Sequence, residues 1–231
     1  MMTNSVTGIA PGDDTRFRGA LFDMDGLLID TERRILQAAV QAAEALSLGD
    51  LEPTFRAMIG LRANDSMPLL EAALDGRVTL ADYRARWLVQ MQALDREVVA
   101  IRPQVLTLLQ RLEELGVPCA VATSSDKADA LSLLERTELL PFFRSVTGGD
   151  EVVDPKPAPE IYHAAAATLD IAAHQACAFE DSDPGTRAAV ASGATVVQVP
   201  DLVAPSEPVR ALGHVIATDV MAGARAIGLI G

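Results

Sequence analysis

Apolar and polar positions follow two regimes along this chain. Between residues 35 and 98 the apolar positions recur every three or four residues. Ile35, Ala38, Ala39, Ala42 and Leu46 make one stripe, while Arg33, Arg34, Gln37, Gln41 and Glu44 take the other face. This predicts a helix with Thr31 as its N-cap. Shorter helices are expected over 55–59 and 67–74, separated by Gly60-Leu61-Arg62-Ala63-Asn64-Asp65, where Gly60 permits a bend. Another opens at Thr79, whose spacing to Asp82 suits a capping box, and runs through Tyr83, Trp87, Met91, Leu94 and Val98. Its aromatics read as core. No part of this block reads as a strand.

Outside that block, short apolar runs alternate with amphipathic stretches. Ala20, Leu21 and Phe22 form the tail of a buried strand. A helix is predicted from Pro103, presenting Leu106, Leu109 and Leu112 and stopping at Gly116. Strands are expected over 117–123, 145–147, 176–179, 195–199 and 214–217, with helices over 126–138, 159–169, 185–192 and 220–226. Such alternation predicts a parallel α/β sheet with helices on both faces, interrupted after its first strand by the helical block.

Polar chemistry collects where these strands end. The first strand runs into Asp23-Met24-Asp25-Gly26, at the carboxyl edge where open α/β sheets bind ligands. Side chains two residues apart on a strand point the same way, so both carboxylates can reach one spot. Such a pair repels unless a cation, a shared proton or hydrogen bonds compensate, and Mg²⁺ is a natural partner. A calcium loop is disfavoured, because Arg34 stands where its closing Glu belongs, and an ordinary acidic turn after the strand is the plainer alternative. Thr123-Ser124-Ser125 follows another strand, as an anion site or an ordinary helix cap. Lys156 lies among three prolines in Asp154-Pro155-Lys156-Pro157-Ala158-Pro159-Glu160, as a fixed phosphate counter-ion or a solvated lysine. Glu180-Asp181-Ser182 ends a third strand, as metal ligands or as acids favouring the helix that Asp183 and Gly185 begin.

Composition narrows the partners. The chain has 231 residues, 49% of them hydrophobic, which suits a folded protein with an ample core. No window offers eighteen apolar residues, and residues 1–16 read as a loose polar tail, so the expectation is a cytoplasmic protein with no membrane partner. Cys119 and Cys177 each fall in an apolar run, as reduced core thiols do. The net charge of -13 argues against nucleic acid, yet a local metal and lysine still allow a small anionic substrate.

The segments at 22–31, 123–125, 156–160 and 179–185 together resemble the haloacid dehalogenase-like hydrolases, in the phosphatase and phosphomutase branch with a helical cap. The resemblance spans residues 19–199 and keeps the family's motif order. It implies a Rossmann-like parallel-sheet core from 17–31 and 101–231 with an inserted all-helical cap over 32–100. It also implies a Mg²⁺-dependent phosphatase acting on a small phosphorylated metabolite, a sugar or polyol phosphate, as monomer or dimer. By that resemblance Asp23 is the nucleophile that becomes an aspartyl-phosphate, and Asp25 is the general acid and base. Mg²⁺ would be held by Asp23, the Asp25 carbonyl and Asp181, with Glu180 as a ligand or as support for one. Lys156 and Thr123, with amides near Met24 and Ser124, would bind phosphoryl oxygens. Arg62, Asn64 and Ser66 would face substrate from the cap, unless that loop is a plain connector.

Two departures matter. The mutases carry a histidine ten residues after the second aspartate and a cap lysine, whereas this chain has Ile35 there and no lysine in 32–100. This places a β-phosphoglucomutase-like isomerase second. Pro155 stands where relatives commonly carry glycine, which bears on loop geometry and not on Lys156 itself. A haloacid dehalogenase is disfavoured by Asp25, and a non-enzymatic receiver domain by the seventy-odd residues of helical insertion.

Overall fold

The computed structural model describes residues 17–59, 61, 63–94 and 99–231. The six strands are β1 (Gly19–Phe22), β2 (Cys119–Ala122), β3 (Ser145–Thr147), β4 (Ala176–Glu180), β5 (Thr195–Gln198) and β6 (Val215–Ile216). All pair in parallel, in the order β3-β2-β1-β4-β5-β6. The chain therefore reverses its winding beside β1, between β2 and β4. At such a reversal the loops leaving the two central strands part and open a crevice.

Strand alternation sorts the core onto two faces. Phe22, Val121, Phe179 and Val197 pack on one side against α5 (Val105–Glu114), α6 (Lys127–Arg136) and α10 (Val220–Ala226). Phe22 and Phe179 stack there with centroids 4.9 Å apart, and Phe143 meets Phe22 edge-on at 5.9 Å. Leu21, Ala120, Ala122, Ala178 and Val196 face α7 (Glu160–Ala167) and α8 (Asp183–Ala191). Small residues dominate that second face, so the two helices that frame the site lie close to the sheet.

The helical block is present as α1 (Glu32–Ala45), α2 (Glu52–Met58), α3 (Ala63–Leu74) and α4 (Leu80–Leu94). It has a core of its own around Ala39, Ala42, Phe55, Leu70, Leu74 and Tyr83. Tyr83 is fully buried, and its hydroxyl donates to the Ala39 carbonyl at 2.7 Å. Thr79 opens α4 as expected, accepting from the Asp82 amide and donating to its carboxylate. A ninth helix in chain order, α9 (Glu207–Arg210), has no counterpart in the sequence pattern.

Both passages between sheet and helical block run side by side. Asp30 donates its amide to Ala100 O and Arg102 donates to Leu28 O, each at 2.9 Å, around an antiparallel Ile29–Ile101 bridge. Asp201, in the loop after β5, fastens this ribbon. Its side chain is 1% exposed and pairs with Arg33 at 2.7 Å and Arg102 at 2.9 Å, one arginine from each passage. From the next residue, Leu202 O accepts a bond from Arg56 of α2 at 2.6 Å.

Several local expectations change. Thr31 does not cap α1 with its side chain; the hydroxyl is drawn instead to Asp25. Asn64 and Asp65 belong to α3 and not to a connector. Leu106 is 41% exposed, because the buried stripe of α5 is Val105, Leu108, Leu109 and Leu112, at i, i+3, i+4 and i+7, and Leu106 falls to its side. Gly60, Arg62, Val98 and the tail over 1–16 lie outside the described residues.

If Asp201 fastens the ribbon, Asp201→Asn leaves two arginines short of a buried counter-charge and costs about 1–3 kcal/mol. Urea unfolding of this variant measures that loss. Substituting the exposed partner of another surface pair, Arg111→Gln, is expected to cost under about 1 kcal/mol.

Candidate active site

Three strand ends and one loop supply the site. Asp23 follows β1 directly, and its amide continues the ladder to Phe179 O at 3.0 Å, which fixes where its side chain leaves the sheet. Lys156 enters from the loop before α7, immediately ahead of a cis Lys156–Pro157 bond. The Glu160 carboxylate braces that loop by accepting from the amides of Val153 and Asp154 at 3.0 and 2.8 Å. Lys156 is 5% exposed. Its ammonium donates to Asp23 Oδ1 at 2.6 Å, Glu180 Oε1 at 2.6 Å and Ala122 O at 3.0 Å. Three acceptors satisfy its three protons, so this is an anchored cation and not a solvated one.

Glu180 is wholly buried at the end of β4, beneath the others. One oxygen accepts from Lys156 and from the Tyr162 hydroxyl at 2.6 Å. The other accepts from the amides of Asp181 and Ser182 and from the Ser182 hydroxyl. A Cβ at Gly185 would lie 1.9 Å from this carboxylate, so only glycine lets α8 start directly over it. No described donor reaches the Asp181 carboxylate, which faces Gly26. Gly26 has φ of +81°, and a Cβ there would stand 2.4 Å from Asp181 Oδ2 and 3.0 Å from Glu32 Cδ.

Asp25 is held apart from this cluster. Its two oxygens accept from Thr31 Oγ1 at 2.6 Å and Ser125 Oγ at 2.7 Å, with Thr123 Oγ1 at 3.4 Å. It thus sits among hydroxyls, while Asp23 sits against an ammonium.

Negative charge outweighs positive in the buried cluster. Burial pushes Asp23 up to about 8 despite Lys156, with Glu180 and Asp25 adding to the rise. Glu32 is also pushed up to about 8, by burial and then by Asp23 and Asp201. Asp181 is driven well above the ordinary range by burial, with Glu32 and Asp23 alongside. The two carboxylates beside Lys156 hold it protonated, outweighing the opposing effect of burial. One ammonium cannot neutralise this set, and a divalent cation would. Asp23, Glu180 and Asp181 each bring an oxygen within 4.8 Å of the others, an all-oxygen donor set of the kind hard cations take. Since both Glu180 oxygens are engaged in the protein, Asp23 and Asp181 fit as ligands and Glu180 as the acid that holds Lys156 and the Asp181 amide.

Asp23, Asp25, Thr123, Ser124, Lys156 and Asp181 line one cavity of about 500 Å³, closed from the helical block by Asn64, Ser66 and several apolar side chains. The Met24 side chain instead enters the core. The sequence left Glu32 and Tyr162 unmarked, and it offered Ser125 only within the Thr123-Ser124-Ser125 run, as an anion site or helix cap, where its hydroxyl in fact donates to Asp25. Glu32 directly follows Thr31, but nothing local marks it. Trp87 was assigned to the core by its helical spacing, yet it lines the cavity.

The chain is thus an α/β protein with a parallel sheet, a lysine locked between buried acids at its carboxyl edge, and an acidic set there that could take a metal ion. The chain belongs to the haloacid dehalogenase-like hydrolase family, whose model matches residues 20–199. It is 31% identical over 173 residues to the phosphorylated carbohydrates phosphatase of Thermotoga maritima, covering 75% of this chain and 80% of that protein. To the Escherichia coli fructose-1-phosphate phosphatase YqaB it is 32% identical over 193 residues, covering 80% of this chain and 97% of the relative. Crystalline CbbY from Rhodobacter sphaeroides in complex with phosphate superposes with a TM-score of 0.65 at 26% identity, covering 80% and 87% of the two chains.

The raised acids set a sign for pH dependence. A carboxyl with a folded value near 8 binds its proton more tightly than the unfolded chain does at about 4. Its stabilising effect is complete below the unfolded value and is lost as pH rises through about 8. In EDTA, the melting temperature is therefore expected to fall between pH 6 and pH 9. Millimolar Mg²⁺ should raise it more at pH 8.5 than at pH 6, because the cation binds the ionised acids. A flat or rising profile in EDTA contradicts this electrostatic picture.

Proposed function

We propose that the protein is a phosphoric monoester hydrolase that uses a divalent cation, Mg²⁺, and cleaves a small phosphorylated carbohydrate or related alcohol. The observation that carries this reading is the contrast between its two aspartates. Asp23 is fixed at 2.6 Å from a buried ammonium, while Asp25 rests on hydroxyls two residues away over the same cavity. One is placed as a nucleophile and the other as a proton carrier.

In this reading an oxygen of Asp23 attacks phosphorus, and the bond from phosphorus to the ester oxygen breaks. Asp25 gives its proton to the departing alkoxide, which leaves as an alcohol. Asp25 then takes a proton from water as that water attacks the aspartyl-phosphate, releasing inorganic phosphate and restoring Asp23. Lys156 supplies fixed positive charge, and Thr123 with the amides near Met24 and Ser124 supplies donors for the phosphoryl oxygens. A cation held by Asp23, the Asp25 carbonyl and Asp181 would screen the attacking carboxylate from the anionic ester. Because uncatalysed monoester hydrolysis is so slow, accelerations of roughly 10²¹ can be needed, which no single group supplies.

Residues 32–100 act in this account as a cap over a core of 17–31 and 101–231. The paired antiparallel passages and the shared cavity support that division. Ile35 lines the cavity where the mutases carry their histidine, which favours transfer to water over return to a sugar. Relatives named as phosphatases of phosphorylated carbohydrates and of fructose 1-phosphate support the substrate class.

Phosphate release from a panel of monoesters, with and without Mg²⁺, tests the reading. Asp23→Asn is expected to remove release altogether. Asp25→Asn should slow turnover by about 10²- to 10⁴-fold and, with an activated phosphoryl donor such as the acyl phosphate acetyl phosphate, leave a phosphorylated protein detectable by intact mass. Interconversion of hexose phosphates with little phosphate released would contradict the proposal.

A further inference from the structure

The cavity carries features that phosphoryl transfer does not use. Phe55, Met58, Ile59, Leu61, Met67 and Trp87 give its cap side a broad apolar wall. Phe55 meets Trp87 edge-on, with centroids 5.4 Å apart and planes at 70°, which sets the tilt of the indole. Phe55 in turn packs on Tyr83, whose hydroxyl is tied to α1. The indole is thus mounted on the rigid core of the helical block.

Trp87 Nε1 and Glu32 Oε2 are themselves cut off from solvent and without a partner, so neither atom opens on the cavity. What Trp87 offers a ligand there is its ring. Glu32 is 8% exposed and sits beside the chemistry, whereas Trp87 lies on the cap side.

Charge adds a second constraint. Asp126, Asp129 and Asp150 line the core side of the same cavity with exposed carboxylates, and Lys156 is its one lining cation among the described residues. A second phosphate or a carboxylate on the leaving group would meet these acids. A neutral or amine-bearing group would not.

Resting on the hydrolase reading above, we propose that Trp87 is the specificity-determining residue of this site, packing its indole against a ring of the leaving alcohol. The substrate class that follows is the monophosphate ester of a ring-bearing, hydroxylated alcohol with no second anionic group. A cavity of about 500 Å³ has room for such a group, within the range usual for sites that enclose drug-sized ligands. Aromatic faces suit both sugar rings and heterocycles, which offer flat C–H or π surfaces edged with acceptors.

Trp87 is the chain's single tryptophan, so its fluorescence reports on this wall alone. Asp23→Asn protein would be titrated in Mg²⁺ with glucose 6-phosphate and uridine 5′-monophosphate as ring monoesters. Phosphoglycolate and fructose 1,6-bisphosphate would serve as esters bearing a second anion. The proposal expects at least one ring monoester to change the emission saturably and to bind about tenfold or more tighter than either doubly anionic ester. With the preferred ester and active protein, Trp87→Ala removes the ring and KM should rise about tenfold with kcat within about twofold, while Trp87→Phe, which keeps a ring, should recover most of that loss. Doubly anionic esters binding as tightly as ring monoesters would overturn it. So would emission that no ester moves while the active protein still releases phosphate. Because binding is read without turnover, ring monoesters that bind but are never hydrolysed would defeat the hydrolase reading and leave this one standing. A protein that neither binds nor hydrolyses any of them defeats both.

Discussion

One buried ammonium, shared between Asp23 and Glu180, is the interaction on which the site depends. Lys156 joins the ends of β1 and β4 to the loop before α7, and its third bond, to Ala122 O, adds the end of β2. Breaking a buried pair from one side leaves an uncompensated charge, costing about 3–5 kcal/mol. The surrounding glycines, hydroxyls and amides follow from this arrangement. Gly185 exists to let α8 approach Glu180, and Tyr162 and Ser182 satisfy the oxygens that Lys156 does not. The same economy leaves Asp181 without a donor, and with it the need for a second cation.

The scaffold above the sheet addresses a different problem, which is holding a mobile-sized insertion in register with a rigid edge. Pairing the two passages gives them a common path, and Asp201 ties an arginine from each to the loop after β5. The helical block therefore rests on the same edge of the sheet that carries the acids. Trp87 of that block and Asp23 of the sheet consequently share one cavity though their elements belong to separate cores.

How far the sequence disclosed this depended on whether a feature was local. Period-two and period-three-to-four patterns located all six strands and most helices, because burial on one face imposes them directly. Asp23, Asp25, Lys156, Glu180 and Asp181 were visible because each sits beside a strand end or a proline-restricted loop. What could not be seen was long-range. Thr31 carries every local sign of an N-cap, but a carboxylate across the turn competes for its hydroxyl and wins. Leu106 fits a three-residue repeat with Leu109 and Leu112, yet Val105 and Leu108 offer a wider stripe and the packing takes that one. The partners of both Glu180 oxygens come from distant residues as well as adjacent ones, so its surroundings were not legible locally. Trp87 fits a core stripe, and its place on the cavity wall shows only when the helical block meets the sheet.

The central claim is that Lys156 and Glu180 are energetically one unit. A double-mutant cycle of Lys156→Met, Glu180→Gln and the pair, read by urea unfolding at pH 7, tests it most directly. The account predicts that Lys156→Met alone is strongly destabilising and that adding Glu180→Gln recovers part of the loss, with a coupling of about 1–3 kcal/mol. Additive effects, within about 0.5 kcal/mol, would show that the two groups do not depend on each other and would contradict the account.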